Sequence, residues 1–200
     1  QMEYVRQHRL DVRGEQVVVI ENKEETLSGR YHPFKRQLMR HPAISHVTAG
    51  NRPGGVHMRV LPEDRSGDQF ALSLVRADYE YVETLGLEVI EGRNFSRSFV
   101  SDSAEGASLI TEDVASRLGL EDPIGAKPKD YIGEIVGVIE DFAMLPLNEQ
   151  QNPVVINLTT TPGEAREVLV RLEEGRVADG LQHIRSTWDQ MVPDRPLAFG

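Results

Sequence analysis

Cysteine is absent from the 200 residues, which excludes disulfides and every thiolate metal site. No apolar run approaches the ~18 residues that a membrane-crossing helix needs. Basic residues are few: 22 Lys and Arg stand against 32 Asp and Glu, a formal net charge of −10. A nucleic-acid-binding face draws affinity from clustered cations that displace the counterions of phosphates. The nearest cluster, Arg30, Lys35, Arg36, Arg40 and His41, follows Glu21, Glu24 and Glu25 and reads as a solvated helix face. Nucleic acid is therefore not expected as a partner. Low-complexity tracts are also missing, and 39% hydrophobic content is enough for a folded core. The length suits one large domain or two subdomains of about 100 residues.

Recognisable chemistry is equally scarce. A phosphate cradle of the form G-x-x-x-x-G-K-[ST] does not occur; Gly50 to Gly55 has glycines without the lysine and reads as a turn. No nucleophile elbow of the form G-x-S-x-G is present. Among the histidines, His32, His41, His46 and His57 include no pair at helical spacing, and His8 and His183 stand alone, so no zinc site is expected. Glu140-Asp141, after the Val136 to Ile139 run, is the most suggestive carboxylate pair, yet it reads better as turn carboxylates. No catalytic, cofactor-binding or metal-ligating residue is assigned, substrate-binding residues are left unknown, and no cofactor is expected. An enzyme is not the expected class.

Local patterns are clear where β-branched runs and apolar stripes occur. Val17 to Ile20 predicts a buried strand, Pro33 to Arg40 a helix with Phe34 and Leu38 on one face, and Ile44 to Ala49 a second strand. Beyond the loop Gly50 to Gly55 the chain turns strand-rich. Val56 to Leu61 and Phe70 to Val75 flank a hairpin turn at Pro62 to Asp68, and Asp78 caps a helix to Leu85 that Gly86 ends. Strands follow at Leu87 to Ile90 and Ser108 to Ile110. Thr111 caps a helix that Gly119 stops, and Ile132 to Ile139 is a further strand. Val154 to Leu158 and Val168 to Leu172 predict strands, and Ala178 to Val192 a helix with an apolar stripe at Leu181, Ile184, Trp188 and Met191. A last strand is expected at Leu197 to Phe199.

The fold class expected is α+β. Residues 1–50 and 152–200 would share one βαβ/ββαβ sheet of ferredoxin-like type, because neither piece can cover its apolar face alone. Residues 51–151 would form an inserted, β-rich lobe. Tyr4 to Arg9 reads as the middle of a helix and Pro196 to Gly200 as an interrupted strand. The chain is thus expected to be a segment of a longer protein, with hydrophobic segments of about 20 residues on both sides.

The order of motifs resembles a MacB-like periplasmic core domain of an FtsX-like ABC transporter permease. Tyr4-Val5-Arg6, Glu15 to Ile20, Phe34-Lys35 and His41-Pro42-Ala43-Ile44 resemble its opening. Leu85 to Ser96, containing Gly92-Arg93-Asn94-Phe95, follows, then Asp102, Ile110-Thr111-Glu112, Pro123-Ile124-Gly125, Ile135 to Phe142 and Pro153. Trp188 and Pro193-x-x-Pro196-Leu197-x-Phe199 close the pattern. Leu10 to Arg13 and Thr111 depart from it at turns and caps. The resemblance implies an extracytoplasmic domain with a membrane-proximal "porter" part and an inserted "sabre" part, held to the membrane by flanking helices. It also implies a second permease copy as dimer partner, a cytoplasmic ATPase and an adaptor protein. Gly92, Arg93 and Phe95 would be structural. A secreted or periplasmic ligand-binding module and a carboxylate-based hydrolase are the competing readings.

Overall fold

The computed structural model describes residues 9–12, 15–51, 57–60, 70–128, 132–142 and 152–200. Their elements run β1 (Arg9–Val12), β2 (Glu15–Glu21), α1 (Tyr31–Leu38), β3 (Ile44–Gly50), β4 (His57–Val60), β5 (Phe70–Ala77), α2 (Tyr81–Leu85) and β6 (Val89–Gly92). They continue as β7 (Ala107–Thr111), α3 (Glu112–Leu118), β8 (Glu134–Ile139), β9 (Val154–Leu158), β10 (Glu167–Leu172) and α4 (Val177–Met191). Residues 4–8 of the helix-like start, the turn at Pro62 to Asp68 and most of the Gly50 to Gly55 loop lie outside the described residues; Arg9, expected in a helix, and Leu10 to Val12, expected at a turn, form strand β1 instead. The chain divides into two compact units. One comprises Gln1–Asn51, Glu83–Gly86 and Thr161–Gly200, the other Arg52–Val82 and Leu87–Thr160.

In the first unit β2 and β3 flank β10, both antiparallel to it, with Ile20 opposite Val168 and Val47 opposite Val170. β1 folds back on the first half of β2. Phe199 bridges to Ile20, and the amides of Glu21 and Gly200 bond Ala198 O and Val19 O at 2.9 and 3.1 Å. The expected sharing of one sheet by the two ends of the chain is therefore observed, in a split βαβ arrangement. Alternation sends Val18 and Ile20 to one face, where Val168, Val170, Val47 and Ala49 join them. α1 and α4 cover that face with Tyr31, Phe34, Leu38, Ile184 and Trp188. The rings of Phe34 and Trp188 meet edge-on at 5.8 Å, and Trp188 Nε1 donates to Arg195 O at 2.8 Å, so the buried indole keeps a partner. A Cβ on Gly180 would lie 2.7 Å from Leu172 Cδ2, so this glycine lets α4 approach β10 closely. On the opposite face Arg171 Nε donates to Thr84 O at 2.8 Å, which ties Glu83–Gly86 to this unit.

One side chain organises the edge of this unit. Asn22 is 3% exposed, donates Nδ2 to Gly163 O at 2.8 Å and Ala165 O at 2.7 Å, and accepts the Leu27 amide at 2.9 Å. The intervening turn carries Glu24 and Glu25 at φ 51° and 53°, a left-handed conformation that L side chains adopt only when the surroundings hold it.

The second unit pairs β4 with β5 antiparallel, β5 with β9 parallel, β9 with β7 antiparallel, β7 with β8 parallel, and β8 with β6 antiparallel. α3 seats Val114 and Leu118 on Leu72, Ile110, Ile135, Val138 and Val155. Three local expectations are corrected. β9, expected in the carboxyl-terminal piece, pairs instead with β5 and β7, where Val154, Val155 and Ile156 are buried; its apolar pattern fits a buried strand in either sheet position. Thr111 precedes α3 but makes no side-chain cap; its Oγ1 accepts the Val154 amide at 3.1 Å, and Asp141 Oδ1 accepts the Asp113 amide at 3.1 Å instead. The helix expected from Asp78 begins at Tyr81, with Asp78 buried and its carboxylate accepting the Tyr79 amide at 2.8 Å. Gly119 ends α3 in the left-handed region, as expected.

Candidate functional site

Among the described residues of the second unit, Gly92, Arg93, Phe95, Ser96 and Asp102 build one polar clasp. β6 ends at Gly92, where φ is +73°; an added Cβ would lie 2.5 Å from Val136 O. Across the contact, a Cβ on Gly137 would lie 2.3 Å from Arg93 O. The two glycines thus permit one close backbone approach, sealed by the Arg93 amide donating to Val136 O at 2.9 Å. From there Arg93 reaches Asp102 in a bidentate pair, Nη1 to Oδ2 at 2.7 Å and Nη2 to Oδ1 at 2.6 Å. The Ser96 amide donates to Asp102 Oδ2 at 2.9 Å, and the guanidinium stacks on the Phe99 ring at 3.9 Å. Phe95 is buried.

The charges of this clasp are fixed by their partners. Burial pushes the Asp102 carboxyl up, but the hydrogen bonds from Arg93 and Ser96 and the Arg93 charge outweigh it and hold the group below the usual carboxylate range. The hydrogen bond to Asp102 raises Arg93 further. An ionised carboxylate whose oxygens accept three hydrogen bonds is a structural anchor rather than a proton donor.

The carboxylates singled out by sequence do not converge. Glu140 Oε1 accepts the Glu88 amide at 2.9 Å, while Asp141 caps α3. Each accepts a backbone amide of a different element, which is a structural role for both. The histidines scatter: His32 is exposed against Tyr31, and His46 on β3 keeps Nδ1 buried without a hydrogen-bond partner. His8 lies outside the described residues, and of His57 only the backbone is described. His41 and His183 do meet, stacked with ring centroids 4.6 Å apart, beside a cavity of about 260 Å³ lined also by Asp179, Gln182 and Ser186. Sequence reasoning missed this contact because nothing local links positions so far apart. Among the described residues no group of three or more His, Asp or Glu side chains is placed to hold a metal ion.

A family model for the MacB-like periplasmic core domain matches residues 6–184. The chain belongs to that family. Solved structures agree with a MacB-like periplasmic core fold. The periplasmic region of MacB from Actinobacillus actinomycetemcomitans has a TM-score of 0.59 at 14% identity, covering 95% of this chain and 91% of that one. A domain of a putative permease from Porphyromonas gingivalis gives 0.56 at 18%, covering 92% and 87%. The extracellular domain of the noncanonic ABC-type transporter YknZ from Gram-positive bacteria gives 0.60 at 13%, covering 92% and 98%. At such identities the structures establish the fold, and the family model carries the assignment. No curated protein matches the sequence. The MacB-like family is one of transporter permease domains on the periplasmic or extracellular side, not a known enzyme family. No helix among the described residues is long and apolar enough to cross a membrane.

Proposed function

We propose that this domain couples the cycle of a cytoplasmic ATPase to export or extraction of a substrate on the outer side of the membrane, and performs no catalysis itself. The observation that carries the reading is the family match over residues 6–184. The first unit is the porter-like part and the second the sabre-like insertion, with bounds near residues 1–51 and 161–200 for the former. Flanking membrane helices, a second permease copy and an adaptor complete the working assembly. The suggestive groups support a mechanical role: Arg93 and Asp102 anchor a turn, and Glu140 and Asp141 secure backbone amides.

Hydrogen exchange tests the coupling in the full-length permease with its ATPase, compared without nucleotide and with Mg-ATP plus vanadate. Amide protection within this domain is expected to differ between the two states although ATP binds on the other side of the membrane. Identical protection in both states refutes the coupling. For the isolated chain, calorimetry with Mg-ATP is expected to show no saturable heat, and binding at micromolar affinity refutes the assignment of nucleotide chemistry to a separate subunit.

A further inference from the structure

The backbone partners of His41 and His183 set the hydrogens of both rings. His183, half-buried on α4, places Nε2 3.1 Å from Gln37 O near the end of α1; a carbonyl only accepts, so Nε2 carries the hydrogen and Nδ1 the lone pair. His41 follows α1, and its Nδ1 accepts the Ala43 amide at 3.2 Å, so the hydrogen of a neutral ring sits on Nε2. The rings stack at 4.6 Å with 22° between their planes. Parallel rings send their lone pairs side by side rather than toward one point, and His41 Nδ1 is already engaged. The arrangement is therefore not a metal chelate.

The two rings respond differently to a proton. A proton on His183 goes to Nδ1 and leaves the bond to Gln37 O in place, strengthened by charge. A proton on His41 goes to Nδ1, the atom that accepts the Ala43 amide, and leaves the amide of a fully buried residue without its acceptor. With both rings charged, two cations lie face to face. The charged groups beside the pair are Asp179 on the cavity wall, 3.9 Å from Arg176, and Arg40, whose Nη1 bonds Gln37 Oε1 at 3.0 Å. Glu173 follows β10, and its amide bonds Ala43 O at 3.0 Å. Asp179 and Glu173 are both exposed.

We propose that His41 and His183 form an acid-operated latch between α1 and α4, closed while at most one ring is charged and opened when both are. On the proposed placement of this domain on the outer side of the membrane, where pH follows that of the surroundings, such a latch makes the first unit responsive to acid.

A double-mutant cycle isolates the pair. His41→Gln, His183→Gln and the double variant of the whole chain are unfolded in urea at pH 8 and pH 5, an interval spanning the ordinary imidazole midpoint near 6.5. Unfolding is read from Trp188, the single tryptophan, which lies on α4. Repulsion between unit charges at the ring separation, with a dielectric between surface and bulk values, shifts the folded-to-unfolded ratio by roughly 5-fold to a few hundred-fold. The coupling between the two positions is expected to favour the fold at pH 8 and to turn against it by at least about 5-fold at pH 5. Equal coupling at both values overturns the latch. Should a variant fail to fold, the unaltered chain decides by nuclear magnetic resonance. The Ala43 amide is expected to move in step with the His41 ring between pH 8 and pH 5, and a stationary Ala43 amide overturns the proposal.

Discussion

Replacing Asn22 by alanine is expected to destabilise the first unit out of proportion to the atoms removed. The side chain makes three hydrogen bonds, to Gly163 O, Ala165 O and the Leu27 amide, at 3% exposure. Each is worth about 1 kcal/mol net, and the partners left behind are backbone groups whose unpaired burial costs ~1–3 kcal/mol apiece. The loss should fall between about 3 and 6 kcal/mol, a large share of the ~5–15 kcal/mol that holds a typical domain. Urea unfolding followed through Trp188 measures it as a lower midpoint at unchanged slope. Asn22→Asp sharpens the argument because it is nearly isosteric. One carboxylate oxygen still accepts the Leu27 amide, but the other faces two carbonyl oxygens that offer no hydrogen. The ionised form is repelled, whereas the protonated form donates to one carbonyl. The folded state therefore binds this proton more readily than the unfolded chain, and the variant should regain stability as pH falls toward 4 and lose it as pH rises. A cost below about 1 kcal/mol for Asn22→Ala, or no acid rescue of Asn22→Asp, refutes the account of this turn.

Asp102→Ala should cost about 2–3 kcal/mol at pH 7, because it removes two bonds from Arg93 and one from Ser96. Since Asp102 is held below the usual carboxylate range, its contribution is full above that range and is lost as pH falls through the lowered value; the gap to the variant, measured by urea titration, should close in strong acid. Gly137→Ala drives a methyl group to 2.3 Å from Arg93 O and should abolish the cooperative transition of the second unit in circular dichroism or lower stability by more than ~3 kcal/mol. Trp188→Phe keeps the ring against Phe34 but leaves Arg195 O without its donor; about 1 kcal/mol lost in thermal unfolding is expected, and no change would show that water replaces the indole.

Much of the scaffold was legible because period and composition are local signals. Val17 to Ile20, all at most 3% exposed, read as a doubly buried strand, and the stripe Leu181, Ile184, Trp188, Met191 fixed the face of α4. The shared sheet of the chain ends followed from two incomplete cores needing each other. What escaped was pairing between distant segments. Val154 to Leu158 has the same apolar pattern whichever strands it joins, so only the coordinates place it between β5 and β7. Thr111 looks like a cap until its hydroxyl is seen facing Val154. Asn22 sits in an ordinary turn sequence, and the two carbonyls it donates to lie about 140 residues away. Leu85 to Ser96 and Ile135 to Phe142 are two separate segments in the sequence, whereas Gly92 and Gly137 within them are the two sides of one contact.

The split first unit also dictates an order of events during synthesis. β2 emerges early, yet its antiparallel partner β10 follows only after about 150 further residues. Closing a chain loop of that length costs roughly 4 kcal/mol in entropy, and the early partners of β2, α1 and β3, leave the core incomplete until β10 and α4 exist. The second unit, by contrast, is complete once Thr160 has been made. It can therefore collapse while β2 still waits, shortening the effective loop before the late strand arrives. A nascent chain halted after residue 160 would carry a finished insertion and a strongly apolar strand at Val17 to Ile20 still lacking β10 along its second edge, a segment exposed to aggregation or chaperone capture.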